Sequence, residues 1–528
     1  MTDAPLGNRH PSLWGDPEQT PTAAEVRDVR ELLAGRFADA DLGWYSGIDW
    51  RRVKVPTPRL PIPDALAAFT TDTGPARLLH AVGRSFTDLV RARRGDYGTP
   101  PDAVAMPRTA AEVAAVLDWC ADAGAACIPF GGGTSVVGGI APGETDQPVV
   151  TLQTRAMDRV LDIDAVSQAA CIQAGASGPV LEEQLGREGL SLRFYPQSFE
   201  FSTLGGWIAT RAGGHFATGP THIDDLVESI DAITPRGLWS SARLPASGAG
   251  PSPDRMLLGS EGTLGVITQA WVRVQPRPNH RAGRAVQFGS FAAGADAVRA
   301  LAQSGLQPAG CRLLDPTEAA LNSAGDGTAA VLVLGFESTW RPVDHDLDLA
   351  LELCGDAGGV ALPERPRGPS EQWRSSFLRA PYLRDALIGL GMVVETFETA
   401  TTWDRFGELH AAVIDATQEA VARVCGDGIV TCRLTHAYPD GAAPYFTVIA
   451  PGSRRAEAQQ WLEIKLAASE ALAGAGGTIT HHHAVGRDHR PWYDRQRPDL
   501  FAAALTAAKA AVDPTGMMNP GVLVDQSA

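Results

Sequence analysis

Between residues 101 and 130 the spacing of apolar positions changes twice. DAVAMP (102–107) is a short, nearly continuous apolar run, as in a buried strand. TAAEVAAVLDWCADAG then places Val113, Val116, Leu117 and Cys120 at the three-to-four spacing of one helical face, and AACIPF returns to a continuous apolar run. Strand, helix and strand in about 30 residues make a βαβ unit, and the chain leaves it through GGGTS. The same reading predicts strands at PVVTLQT, DRVLDID and SQAACIQAG, a helix at GPVLEEQLGREG, and a strand-rich run ending at VITQAWVRVQP. LLGSEGTLGVITQA (257–270) reads as a glycine-punctuated apolar strand. Beyond Pro278, Ala/Leu-rich helical patterns alternate with strands such as AAVLVLGFES and YFTVIA. DALIGLGMVV (385–394) reads as a buried core helix or the wall of an apolar tunnel. AALTAAKAAVDPTGMMNPGVLV predicts a last helix stopped by Asp-Pro. These shifts divide the chain into a largely helical N-terminal extension over 1–100, with its clearest helix near 22–36, a domain over 101–278, a second α+β domain over 279–500, and a segment over 501–528 that packs back on the first domain. The class is α+β.

Composition narrows the function. A chain of 528 residues exceeds one compact core. With 44% hydrophobic and 20% charged residues it is a globular sequence rather than a disordered one. A net charge of −16 excludes a nucleic-acid binder, since basic runs such as Arg91, Arg93 and Arg94 are short. The seven cysteines, Cys120, Cys127, Cys171, Cys311, Cys354, Cys425 and Cys432, form no CxxC pair and several sit in apolar runs, so they are read as reduced core residues. MTDAPLGNRHPSLWG lacks a signal pattern and no run reaches the about 20 apolar residues of a membrane span. The expected compartment is the cytoplasm, with peripheral contact to a bilayer left open.

Glycine supplies the next signal. PFGGGTS (129–135) leaves a buried strand with three glycines in a row, which lets backbone N–H groups approach an anion. Alone it fits an anion cradle and an Ω-shaped turn equally. EFSTLGGWIATRAGG (200–214), GSEGTLGVIT and DPTGMMNPGVL (513–523) follow in order, and THHHAVG (480–486) carries three adjacent histidines. Adjacent residues of an extended segment point to opposite faces, so His481, His482 and His483 cannot all serve one site equally.

Together these segments resemble the FAD-binding domain of the vanillyl-alcohol-oxidase/p-cresol-methylhydroxylase flavoproteins, from about residue 100 to the chain end. That resemblance implies a two-part FAD-binding domain plus an α+β substrate (cap) domain. The cofactor positions it implies are Pro129, Phe130, Gly131, Gly132, Gly133, Thr134, Ser135, Gln197, Ser198, Ser202, Thr203, Gly206, Thr210, Arg211, Ala212, Gly213, Glu261, Gly262, Thr263, Leu264, Gly265, Val266 and Ile267. FAD is expected to bind noncovalently, with His215 in RAGGHFATG the histidine to watch for covalent attachment. Within that superfamily PFGGGTSV, SFEFSTLGGWIATRAGG, GSEGTLGVIT, CRLLD, YLRDAL, FETATTWDR, TCRLT, PYF and HHHAVG resemble the alkyldihydroxyacetonephosphate synthase family, which makes the ether bond of ether lipids. The resemblance implies exchange of the acyl chain of acyl-dihydroxyacetone phosphate for a fatty alcohol through a flavin N5 adduct, with no net redox change, in a homodimer that contacts membrane and no nucleic acid.

Carried over residue by residue, Tyr445 is the proton-transferring tyrosine and His482 its partner, with His481 and His483 orienting it or meeting phosphate. Arg312 is a catalytic arginine near the flavin, Arg384 a substrate-binding one, and Thr396 replaces a serine while keeping the hydroxyl. One departure stands out: the family's GHEPDS is RFYPQS here, with Phe194, Tyr195 and Gln197 replacing a histidine, a glutamate and an aspartate. Gln197 cannot take a proton as a carboxylate does. The second reading is an FAD-dependent oxidoreductase of a D-2-hydroxy acid or related alcohol. Those enzymes hold a divalent metal with two histidines and a glutamate. Here His436, His482 and His483 lie at comparable places, but the set is incomplete, and no metal is expected.

Overall fold

The computed structural model describes residues 9–363 and 369–525. The first eight residues, read above as part of a segment without a signal pattern, lie outside it. Three main sheets carry the described chain, beside a two-stranded pairing of Leu190–Ser191 with Gln275–Pro276. The βαβ unit forms a four-stranded sheet in the order Thr70–Thr71, Ala103–Ala105, Val149–Gln153 and Ala126–Phe130, in which the last three strands run parallel. Its helix, Ala110–Asp122, buries Val113, Val116, Leu117 and Cys120, the face expected from the spacing. A second, antiparallel sheet orders Val160–Asp164, Ala169–Gln173, Val266–Arg273, Val227–Thr234 and Gly237–Ser240.

The third sheet is the large one. Its strands Val360–Ala361, His280–Phe288, Ala330–Ser338, Gly310–Leu314, Ile429–Ala437, Gly441–Pro451 and Met392–Glu398 lie side by side, all antiparallel, with Thr401–Thr402 pairing onto one of them. Side chains alternate between the two faces. Val393, Phe397, Phe446, Val448, Cys432 and Leu434 pack in the core shared with the helices Trp403–Cys425 and Glu457–Gly474 or in its neighbour. Phe397 and Phe446 stack there at 5.1 Å. The intervening residues, Arg312, Arg433, Tyr445, Thr396 and Glu398, occupy the opposite face. A one-residue slip of any strand would exchange the two sets, so burial of the apolar set fixes the polar one.

Three sequence expectations change. LLGSEGTLGVITQA is not one strand: a short helix ends at Leu257, Gly259, Glu261 and Gly262 take φ of +77°, +50° and +73°, and the strand starts only at Val266. DALIGLGMVV is split as well. Its first half closes the helix Pro369–Gly389, Gly391 turns at φ +83°, and Met392 begins a strand. The N-terminal segment is only partly helical. Beyond Ala23–Arg36, Gly74–Leu79 and Phe86–Arg93 its path is mostly irregular, with Thr70–Thr71 adding a strand to the first sheet and Val26, Leu33 and Phe37 packing into the core of the third.

All seven cysteines are free, and six are buried. No described helix is long and apolar enough to cross a membrane.

Candidate functional site

The glycine loop is pressed against the segment 201–203. A Cβ at Gly131 would lie 2.3 Å from the Thr203 hydroxyl, and one at Gly132 would lie 2.0 Å from the Phe201 carbonyl. Only glycine fits there. The N–H groups from Gly131 through Ser135 donate to no acceptor among the described residues. A row of unpaired N–H groups on such a loop is the chemistry that cradles a pyrophosphate, so these residues fit FAD. Arg9 braces the loop from its carbonyl side, donating to Gly132 O and, at 3.0 Å, to Trp14 O. Arg9 is buried and has no carboxylate partner among the described residues, and its Nε is unpaired. Burial, then the charges of Arg84 and Arg155, push its pKa down.

Several expected cofactor residues turn out to build the cradle from behind. Thr203 caps the helix Leu204–Thr210, accepting from Gly206 N at 3.3 Å, and Thr210 Oγ1 donates to Gly206 O at 2.9 Å. Ser202 Oγ accepts from Trp207 Nε1 at 2.7 Å and donates to Ser198 O at 2.9 Å. Ser135 Oγ accepts from Gly139 N at 3.2 Å. Leu264, Val266 and Ile267 are core side chains, and Thr263 O is held by the buried Lys509 at 2.8 Å. Pro129 lies against the turn at Gly262, where a Cβ would meet its ring at 2.8 Å.

Three of the expected cofactor residues have protein partners for their side chains. Arg211 does not turn its guanidinium inward: Nε pairs with Asp224 Oδ2 at 2.8 Å, and the residue is exposed. The Glu261 carboxylate accepts Val485 N and Gly486 N, each at 2.8 Å, so it ties down the turn after the histidines. Burial pushes its pKa up to about 7. Gln197 spends its amide on Phe377 O at 3.1 Å, joining the cradle to the cap helix. Beside it Phe194 is core, 5.2 Å from Trp207, and Tyr195 packs on Phe199 at 5.0 Å. Phe194 and Tyr195 therefore pack within the first domain, and Gln197 ties it to the cap. His215 has its ring between Phe216 and Phe377.

Across from the cradle, one rung of the large sheet runs Leu314, Arg433, Tyr445, Glu398. Tyr445 is 4% exposed, and the Arg433 guanidinium lies 3.9 Å from its ring centre. Arg433 is itself paired with Glu318. Burial raises the Tyr445 pKa, opposed by Arg433 and by a hydrogen bond with Thr396. Arg312 is 3% exposed on the same face, its pKa lowered to about 9 by burial and then by Arg433. Arg384 lies to the other side, with Nη2 donating to Arg84 O at 2.8 Å and a buried, unpaired Nε. Its charge is felt by both Tyr445 and His483.

Glu398 organises the histidines, and sequence reasoning passed it over although FETATTWDR contains it. Its carboxylate accepts the backbone N–H of His481, of His482 at 3.1 Å and of His483 at 2.7 Å, and the Thr480 hydroxyl at 2.8 Å. Burial alone would raise its pKa, yet the three histidines and these N–H donors hold it well below the carboxylate range. The loop therefore wraps one anion, and the three rings fan out from it. His482 stacks parallel to Tyr445 at 6.0 Å, and His483 meets the same ring edge-on at 5.7 Å. His481 turns away to Tyr438 and His222. A Cβ at Gly213 would stand 3.1 Å from His482 Cβ, which puts the cradle backbone directly against the His482 ring.

Nitrogens of His436, His481 and His482 lie within 4.8 Å of one another, as do donor atoms of Glu398, His482 and His483. Hydrogen bonds already claim most of them. His436 uses Nε2 on Gly214 O at 3.0 Å and Nδ1 on Thr435 Oγ1 at 2.9 Å. His481 likewise uses both nitrogens. The carboxylate oxygens of Glu398 are taken by backbone. This donor set suits hydrogen bonding better than a metal.

The family "FAD binding domain" matches residues 101–242, and "FAD linked oxidases, C-terminal domain" matches 277–523. The alkyldihydroxyacetonephosphate synthase of Dictyostelium discoideum is 30% identical over 85% of this chain and 77% of its own. A solved alkyldihydroxyacetonephosphate synthase superposes with a TM-score of 0.82 at 25% identity, covering 98% of this chain and 99% of that one. A substrate-bound p-cresol methylhydroxylase shares the fold, with a TM-score of 0.70 at 13% identity over 87% and 94% of the two chains. The chain belongs to the alkyldihydroxyacetonephosphate synthase family of FAD-binding proteins.

Proposed function

We propose that this protein exchanges the acyl chain of acyl-dihydroxyacetone phosphate for a fatty alcohol, forming the ether bond of an ether lipid. The observation that carries the reading is the Arg433–Tyr445–Glu398 rung with His482 stacked on it and Gly213 of the cradle against His482. FAD, which the backbone of residues 131–135 would hold, would supply its N5 as the nucleophile of the exchange. The chain's own residues move the protons. His482, with its pKa lowered to about 4 by burial, is a neutral base at physiological pH. Tyr445 stays protonated, because burial raises its pKa, and so can donate. Arg384, whose charge is felt at His483, and Arg312 supply the cations that a phosphate-bearing substrate requires. The hydroxyl of Thr396 orients the tyrosine.

The test is an anaerobic incubation of the FAD-loaded protein with acyl-dihydroxyacetone phosphate and labelled fatty alcohol. Labelled ether without any electron acceptor supports the reading. Absence of ether, together with bleaching of the flavin by a D-2-hydroxy acid, would replace it with the oxidoreductase reading.

A further inference from the structure

Three imidazoles form one hydrogen-bonded line leading away from the reacting face. His222 Nδ1 lies 3.0 Å from Arg211 O, and its Nε2 lies 3.1 Å from His481 Nε2. His481 Nδ1 lies 3.0 Å from His482 Nδ1. The tautomers follow from the carbonyl at one end, by hydrogen-bond logic. A carbonyl only accepts, so His222 carries its proton on Nδ1, and in the neutral ring its Nε2 is a bare acceptor. Two bare nitrogens do not attract, so His481 carries its proton on Nε2, shared between His222 and the Tyr438 hydroxyl at 2.9 Å. His481 Nδ1 is then bare, and His482 must carry its proton on Nδ1. The lone pair of His482 is thereby placed on Nε2, which has no hydrogen-bond partner among the described residues.

The far end of the line differs from the near end. His222 and His482 are both partly buried; burial and then the charge of His482 lower the His222 pKa, opposed at this end by the charges of Asp224 and Asp225. At His482 burial lowers the pKa to about 4, opposed by the Glu398 carboxylate and reinforced by the charges of His483 and Arg433. Arg211, at the same end as His222, opposes the two aspartates but is itself paired with Asp224.

We propose that His482, His481 and His222 form a reversible proton store for the reaction assigned above, with His222 and His481 as positioning and relay residues that do not touch substrate. A proton taken by His482 at Nε2 is balanced by release of its Nδ1 proton to His481 Nδ1. His481 releases its Nε2 proton to His222 Nε2. At the end His482 and His481 are neutral with exchanged tautomers, and His222 is the imidazolium. Transfer in the reverse direction returns the proton to the substrate. The device rests on the proposed ether-forming reaction for its use, while its tautomers can be read without any substrate.

The test therefore has two readouts. Nitrogen-15 spectra of the FAD-loaded protein labelled at histidine, assigned with single substitutions, are expected to show His482 protonated at Nδ1 and bare at Nε2. The His222→Phe variant is expected to lose that preference, to keep its flavin spectrum, and to lose kcat by on the order of 10²-fold at little cost in KM, with partial rescue by added imidazole. His482 protonated at Nε2 in the native protein would overturn the proposal. So would wild-type kcat in His222→Phe. A native protein that makes no ether but shows the expected tautomers would overturn the assigned reaction and leave the line of imidazoles intact.

Discussion

Glu398 and Tyr445 face each other across antiparallel strands, and Glu398 reaches beyond the end of its strand to collect the backbone of His481, His482 and His483. A buried anion thus sets the positions of three rings through their main chain, and the tyrosine it faces receives two of them. Hydrogen bonds to a charged group contribute about 1.5–3 kcal/mol each. Glu398→Gln keeps the shape but loses the charge and part of the accepting capacity. It is expected to cost about 3 kcal/mol in urea unfolding of the FAD-loaded protein and to abolish most ether formation. Unchanged unfolding would show that the loop is held by something else.

Gly213 is where cradle and cap chemistry come closest. Its missing side chain leaves room for His482, since a Cβ would stand 3.1 Å from the His482 Cβ. Gly213→Ala must displace the ring by a few tenths of an ångström. A misplacement of about 1 Å costs about 10²-fold in rate, so this smaller shift is expected to cost roughly several-fold. The expected result is a fall in kcat with FAD affinity retained, measured by steady-state kinetics and flavin fluorescence. Equal loss of FAD would mean that the substitution collapses the cradle instead.

Arg9 connects the N-terminal segment to the cofactor loop by donating to Gly132 O. Polarising that peptide strengthens the Gly133 N–H as a donor to an anion. Arg9→Ala is expected to weaken FAD binding by about tenfold, or about 1.4 kcal/mol, in a titration of the apoprotein. An unchanged dissociation constant would reduce Arg9 to a packing role.

Acid stability follows from two buried neutral histidines that flank the site, His80 against Phe130 and His489 behind the histidine loop. His80, bonded to Ala76 O at 2.7 Å, has its pKa lowered to about 4, and His489, bonded to Ala484 O at 2.8 Å, to about 3, both chiefly by burial. Above pH 6.5 each ring is neutral folded or unfolded, and neither contributes a pH dependence. As pH falls below 6.5 the unfolded chain takes up protons that the folded one refuses, so stability drops until pH reaches the folded pKa. Each tenfold difference in proton affinity is about 1.4 kcal/mol. Tm should fall steeply from pH 6.5 towards 4, and His80→Gln should flatten that slope. Parallel slopes in the two proteins would contradict it.

The sequence revealed what depends on local spacing. The βαβ unit, the glycine loop and the histidine triplet are contiguous, and their periodicity or wording exposes them directly. Glu398 was hidden for a physical reason. A glutamate near the end of a strand, followed by TATTWD, reads as a solvent-facing terminus, and only the tertiary return of residues 480–483 makes it a buried anion. His222 was missed likewise, because its partner lies 259 positions away. The segment 257–265 misled because it runs without a break into the apolar strand VITQA, whereas the positive φ values at Gly259, Glu261 and Gly262 bend the chain before the strand begins. DALIGLGMVV misled similarly: glycines at 389 and 391 end a helix and turn into a strand. Gln197, Arg211 and Glu261 carry polar groups that a resemblance assigns to the cofactor, while their partners here are protein atoms.

The most direct measurement compares labelled ether formed per flavin by the native protein and by Tyr445→Phe, without oxygen or any electron acceptor. The account predicts multiple turnovers in the native protein with the flavin oxidised at the end, and a loss of at least about 10²-fold in the variant with its flavin content unchanged. Ether formation at the native rate in Tyr445→Phe would contradict the role of the sheet rung. No ether in either protein, with flavin fully bound, would contradict the assigned reaction itself.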